Sequence, residues 1–229
     1  MPSKTIIVTG ASGNLGKAVV KKFIDNDYNV VGTVHKKENK IADENNLEEA
    51  ELDLLNEESS ERFVSGLIEK YRSIDVAVLT AGGFAAGNID RAKTSDITQQ
   101  YQLNFETAYN IARPVFLHMI KQNKGRIFLI GSRQGLNILK GKGALAYSFS
   151  KSLLFRLAEL LNAEAIGKNV VVSVIVPSII DTPSNRESMP DANFNDWVAP
   201  SAIADVIYFY SGDEANAIKE PVIKMYNNA

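Results

Sequence analysis

Cysteine is missing from all 229 residues of the chain. Disulfides and thiolate metal sites are therefore excluded. Histidine is almost as scarce. His35 and His118 are the only two and lie far apart, so no histidine metal centre is expected. An excess of one charge is also lacking: 25 Lys and Arg face 27 Asp and Glu, for a net charge of −2. That balance offers nothing to nucleic acid or to an anionic membrane. No apolar run approaches the length of a membrane span, and "MPSKTIIVTG" enters a strand-like run with no signal or transit peptide pattern. The expected location is the cytoplasm. What remains is the composition of a globular protein, 45% hydrophobic and 23% charged, long enough for one large α/β unit with a sizeable core.

Short apolar runs alternate with longer periodic ones. "KTIIVT", "YNVVGTV", "EAELDL", "IDVAVLT", "GRIFLIG", "NVVVSVIVP" and "EPVIKMY" read as strands. "LGKAVVKKFIDN", "NEESSERFVSGLIEKY", "AYSFSKSLLFRLAELLNAEAI" and "SAIADVIYFYS" read as helices. So does the long stretch "TSDITQQYQLNFETAYNIARPVFLHMIKQ", where Pro114 predicts a kink or a junction. This alternation predicts a single Rossmann-like, doubly wound domain over 1–229, with about seven parallel strands and helices on both faces. Residues 178–200, "SIIDTPSNRESMPDANFNDWVAP", break the pattern. They are rich in Pro, Asn, Asp and Ser and hold the only tryptophan, Trp197. A long polar loop after a strand end predicts a substrate lid; the alternative is a surface excursion that packs Trp197 and Phe194.

"TGASGNLG" joins the first strand to the first helix. That context suits a dinucleotide: Gly10 permits the tight turn, Gly13 the approach of a pyrophosphate, and Gly16 close packing of helix on sheet. The helix N-terminus near Asn14 and Leu15 offers unpaired N–H groups to phosphate. An acidic residue about 20 positions on would favour NAD. Instead the second strand runs into His35, Lys36 and Lys37, with no acid before Glu38. Basic residues there would pair with a 2′-phosphate, so NADP(H) is expected over NAD(H).

Tyr147 and Lys151 in "YSFSK" lie one turn apart on one helical face. With "TGASGNLG", "TAGG" at Thr80–Gly83, Asn104 and Ser132, they resemble the short-chain dehydrogenase/reductase family in order and over essentially the whole chain. That resemblance implies a nicotinamide-dependent oxidoreductase acting on a small carbonyl or alcohol substrate, and a homodimer or homotetramer. It implies a catalytic set of Asn104, Ser132, Tyr147 and Lys151. It implies cofactor contacts from Gly10, Ser12, Gly13, Asn14, Leu15, Gly16, His35, Lys36, Asp53, Leu54, Ala81, Gly82, Gly83, Tyr147, Lys151, Pro177, Ile180 and Thr182. Substrate contacts would come from Phe84, Ser132, Gln134 and Tyr147. No metal is implied.

A free tyrosine titrates near pH 10, and a nearby cation lowers that value by roughly 1–3 units. Lys151 would thus tune Tyr147 as the proton donor, while Ser132 polarises the substrate oxygen and Asn104 holds a water linking Lys151 to solvent. "AGGFAAGN" and "DTPSNRESMPDANFNDW" further resemble quinoid dihydropteridine reductases. Those enzymes lack the serine present here as Ser132 and select their coenzyme with an acidic residue, so carbonyl reduction and dihydropterin reduction both stand. A non-catalytic NADP sensor is the rival outside enzymes, although such relatives lose the Tyr or the Lys. Phe84, Phe149, Phe194 and Trp197 suggest a partly apolar pocket. The many apolar positions of the helix that starts at "AYSFSK" suggest a face for a partner subunit.

Overall fold

The computed structural model describes residues 3–35 and 46–228. Seven strands are present among them: β1 (Thr5–Thr9), β2 (Asn29–Val34), β3 (Leu47–Glu51), β4 (Val76–Leu79), β5 (Lys124–Ile130), β6 (Asn169–Pro177) and β7 (Val222–Met225). All pair in parallel, in the order β3-β2-β1-β4-β5-β6-β7. The interior strands are continuous apolar runs because helices cover both faces. Residues Thr5 to Thr9 are all buried, and so is β6 from Val170 onward.

On one face lie α1 (Asn14–Ile24) and, late in the chain, α8 (Pro200–Ser211), which cover Ile6, Val8, Val78 and Phe128 with Val19, Phe23, Ile203 and Ile207. The other face is covered by α2 (Glu57–Tyr71), α4 (Thr107–Gln122) and α6 (Leu145–Glu164), whose Val64, Ile111, Met119 and Leu154 bury Ile7, Ala77, Ile127 and Val172. Shorter helices are α3 (Thr94–Tyr101), α5 (Arg133–Leu136) and α7 (Pro183–Ser188). The winding direction reverses between β1 and β4. In open parallel sheets the crevice at the carboxyl ends beside such a switch point is where ligands bind.

Three elements depart from the sequence reading. The third strand starts two residues earlier than "EAELDL" and stops at Glu51, because its only neighbour, β2, ends at the paired Val34. Leu52, Asp53 and Leu54 are thereby released to the crevice. No junction occurs at Pro114, since α4 runs through it; the helical register changes upstream, in a π-helical turn at Gln102–Glu106 between α3 and α4. Residues 178–200 are not all loop. Thr182 caps α7 by accepting from the Asn185 N–H at 3.2 Å, with Pro183 at its first position. The two ends of the stretch are zipped by Val198 N–H to Ile179 O at 2.8 Å and Asp181 N–H to Val198 O at 2.9 Å.

Candidate active site

The β1–α1 loop is shaped by its glycines. Gly10 has φ +61°, and a Cβ there would lie 3.0 Å from the Ala81 nitrogen. A Cβ at Gly16 would lie 2.3 Å from the Gly10 oxygen. Helix α1 can thus press against the turn only if both lack side chains. Gly13 is its N-cap and no side chain caps it; the Gly13 N–H donates to Gly10 O at 2.9 Å, so exposed Asn14 is left to present an unpaired backbone N–H. Ser12 is half-buried in the same loop, while Leu15 and Gly16 are buried under it. Beside the loop is a cavity of about 380 Å³ whose lining includes Gly10, Val34, His35, Asp53, Leu54 and Ala81. A bare helix terminus, a glycine cradle and a mainly apolar slot with one carboxylate fit the pyrophosphate and adenosine of a dinucleotide.

Asn104 sits buried in the π turn. Its Oδ1 accepts from Gly83 N–H at 3.0 Å, and its Nδ2 donates to Gly83 O at 3.0 Å. Nδ2 also lies 3.1 Å from Gln100 Oε1 and 3.2 Å from Ser150 Oγ. Ser150 in turn donates to Tyr147 O at 2.8 Å. One carboxamide therefore ties the loop after β4 to helix α6, and the π turn is what aims it inward. Gly82 passes so close that a Cβ would lie 2.6 Å from Asn104 Oδ1 and 3.3 Å from Lys151 Nζ.

Ser132, Tyr147 and Lys151 line a second cavity, of about 500 Å³, at the ends of β5 and β6. Ser132 caps α5 by accepting from Gly135 N–H at 3.1 Å, which leaves its own O–H free to donate. Lys151 is buried and donates to Ile130 O at 2.7 Å. Its ammonium lies 5.9 Å from the centroid of the Tyr147 ring. Burial without a carboxylate partner brings Lys151 down to about 8. Burial pushes the Tyr147 phenol upward, and its hydrogen bond with Ser132 acts the other way. Desolvation is the larger of the two, and Lys151, expected from sequence to pull the phenol down, is not among the groups that act on it. Phe84 meets the Tyr147 ring edge-on, with centroids 5.0 Å apart.

The short chain dehydrogenase family matches residues 4–193. The chain belongs to that family. Among relatives, dihydropteridine reductase of Dictyostelium discoideum is 30% identical over 91% of this chain and 88% of its own length. The 3-oxoacyl-acyl-carrier-protein reductase FabG of Thermotoga maritima is 26% identical over 97% of this chain and 96% of its own. Two solved structures share the fold at a TM-score of 0.89: ElxO with NADP bound, 23% identical and covering 97% of both chains, and gox2181, 21% identical and covering 100% of this chain and 95% of that one.

In this short chain dehydrogenase the expected residues fall into two groups. Gly10, His35, Asp53, Leu54 and Ala81 share the first cavity. Phe84, Ser132, Gln134, Tyr147, Lys151, Pro177 and Ile180 share the second. Gly82 and Gly83 lie between them against Asn104, while Thr182 serves as the cap of α7. Lys36 and Lys37 lie outside the described residues. Trp197 and Phe194 do not line the second cavity. They pack on each other with centroids 4.7 Å apart, and Trp197 is buried. The surface-excursion alternative therefore holds for that pair, because Arg186 over Phe194 and the zipped loop base draw both rings away from the crevice. Phe149 also faces elsewhere, in a separate groove with Leu136 and Leu145.

Ser178, Ile179, Asn185, Ser188 and Met189 complete the lining from within 178–200, the stretch that sequence reasoning reads as a lid without naming these residues one by one. Sequence reasoning missed Gln100 and Ser150, the partners of Asn104. A helical offset of four residues from Asn104 to Gln100 was the one available signal.

Proposed function

We propose that this protein is an NADPH-preferring oxidoreductase that reduces a carbonyl group of a small molecule, with Tyr147 as general acid. The observation that carries this reading is the convergence of Ser132, Tyr147 and Lys151 on one cavity beside the glycine cradle. The residues that would hold the coenzyme are the Gly10–Gly16 loop, His35, Asp53, Leu54, Ala81–Gly83, Lys151, Pro177, Ile180 and Thr182. When bound, the coenzyme supplies the hydride that forms the new C–H bond. Tyr147 gives its proton to the substrate oxygen, so that C=O becomes CH–OH. Ser132 donates to the same oxygen with the O–H that its capping role leaves free. Lys151, near 8, keeps a cation beside the developing phenolate and exchanges protons close to neutral pH. Asn104 fixes the loop that carries Gly83 and would hold the water that resupplies Lys151.

The same reading takes 1–229 as one domain with 178–200 as its substrate loop, a homodimer or homotetramer in the cytoplasm, and no nucleic-acid or membrane partner. Among the described residues no helix is long and apolar enough to cross a membrane. Dihydropteridine reduction is the second reading, favoured by the relative of that activity at 30% identity. A non-catalytic NADP sensor is the third.

The test is a fluorescence titration with NADPH and NADH side by side, followed by turnover of Tyr147→Phe. The expected result is tighter NADPH binding, weakened by Lys36→Asp. Tyr147→Phe should keep coenzyme binding and lose about 10²–10⁴-fold in turnover. Tighter NADH binding would move quinoid dihydropterin to first place as substrate, and retained function in Tyr147→Phe would favour the sensor.

A further inference from the structure

The lining of the Tyr147 cavity carries little charge. Lys151 and Tyr147 are its only ionisable side chains among the described residues. Lys151 is turned to the Ile130 carbonyl. The two guanidinium groups nearest the lining in sequence are engaged elsewhere. Arg133 lies over the Tyr226 ring at 5.1 Å. Arg186 holds both oxygens of Asp181, at 2.6 and 2.7 Å. A carboxylate or phosphate near the reacting carbon would find only Lys151, already donating to a carbonyl, and no guanidinium to form a paired fork with, and a poorly paired anion in such a site is disfavoured.

Polar recognition is left to carboxamides. Asn185 donates one of its two N–H groups to Ile180 O at 2.8 Å, which fixes the orientation of its carboxamide. Gln134 lines the same cavity two residues after Ser132, and among the described residues its amide has no hydrogen-bond partner. A free carboxamide offers one acceptor and two donors in a plane, which matches the N–H and C=O of a lactam edge. Around it the lining is apolar, with Ile130, Ile179, Ile180 and Met189, and Phe84 remains 63% exposed at the mouth. Such a surface favours a flat ring.

We infer that the site takes an uncharged, planar substrate whose reacting carbonyl or C=N adjoins a lactam, and that Gln134 is the specificity-determining residue that reads the lactam edge. The inference rests on the proposed reaction site, so its test separates binding from turnover. The protein is saturated with NADP⁺, and dissociation constants are measured by titration calorimetry for two matched pairs: isatin against N-methylisatin, and ethyl acetoacetate against acetoacetate.

Isatin should bind about tenfold more tightly than its N-methyl analogue, the worth of one hydrogen bond. The ester should exceed the acid by at least about a hundredfold. Gln134→Leu should bring the isatin ratio to about one, and Gln134→Glu, which restores an acceptor for the N–H, should recover it. Equal binding of ester and acid, an isatin preference that survives Gln134→Leu, or no binding of any neutral probe would each overturn the inference. Turnover with NADPH is read separately. If isatin binds with the Gln134-dependent preference but is not reduced, the reaction assigned to Tyr147 fails while the substrate class stands. If probes are reduced without either preference, the reverse holds.

Discussion

At Lys151 the cost of burying a cation is concentrated in one side chain. Its value near 8, against 10.5 for a free lysine, means that the folded state binds its proton less tightly than the unfolded state does. Stability should therefore rise with pH from about 8 to about 10, because the unfolded chain holds more protons over that window. Below pH 8 the full penalty is present, about 3 kcal/mol. Lys151→Met removes it, at the cost of the hydrogen bond to Ile130 O. The expected outcome in urea unfolding at pH 7 is a gain of about 1–3 kcal/mol in stability, together with loss of turnover. The alkaline rise should be absent in the variant. An unchanged or lower stability would mean that relaxation or water already compensates the buried ammonium. "YSFSK" announces the pairing of Tyr147 with Lys151, because helical periodicity alone puts them on one face. It does not announce that desolvation raises the phenol, since burial is set by β5, β6 and the segment after them.

At the scale of elements, helix α7 is the part of 178–200 that reaches the cavity. Asn185, Ser188 and Met189 face inward, while Arg186 faces out, held by Asp181 and lying over the Phe194 ring at 4.7 Å. Asn227 adds donations to Asn195 O and Trp197 O, both at 3.0 Å. These contacts set the angle at which α7 covers the site. Arg186→Ala should raise KM for substrate up to about fivefold, the range expected for an exposed ion pair, and change kcat less. Arg186→Lys should rescue only part of this, because an ammonium cannot make the paired fork. Trp197 supplies a second readout, as the only tryptophan, and its emission should shift to the red in Arg186→Ala. A change in kcat alone, with Trp197 unmoved, would contradict this role. The composition of 178–200 marks it as irregular, but the inward and outward faces of α7 are set by its packing.

For the molecule as a whole, the two sheet faces consume most of the apolar surface, and part of what they leave lies on neighbouring helices. Tyr101, Leu103, Tyr109 and Leu117, on and between α3 and α4, and Phe149, Leu153 and Leu160 on α6, are exposed. A second copy of the chain covering these helices is the proposed homo-oligomer. Sedimentation velocity should show a dimer or tetramer, and Leu160→Glu should shift it toward the monomer, since a buried unpaired carboxylate is costly. A monomer in the unaltered protein would contradict the proposal. By itself the sequence determined the alternation of strands and helices, the glycine cradle and the order of the chemistry-bearing residues, because these depend on local period and on glycine's freedom at a turn. Only the tertiary structure decided that β3 ends with its partner at Glu51 and frees Asp53 for the crevice. It likewise decided that the helix breaks register at Asn104 rather than at Pro114, and that Trp197 lies away from the cavity. Each depends on which distant segments compete for the same partner, and that competition is settled only when the sheet and its helices are assembled.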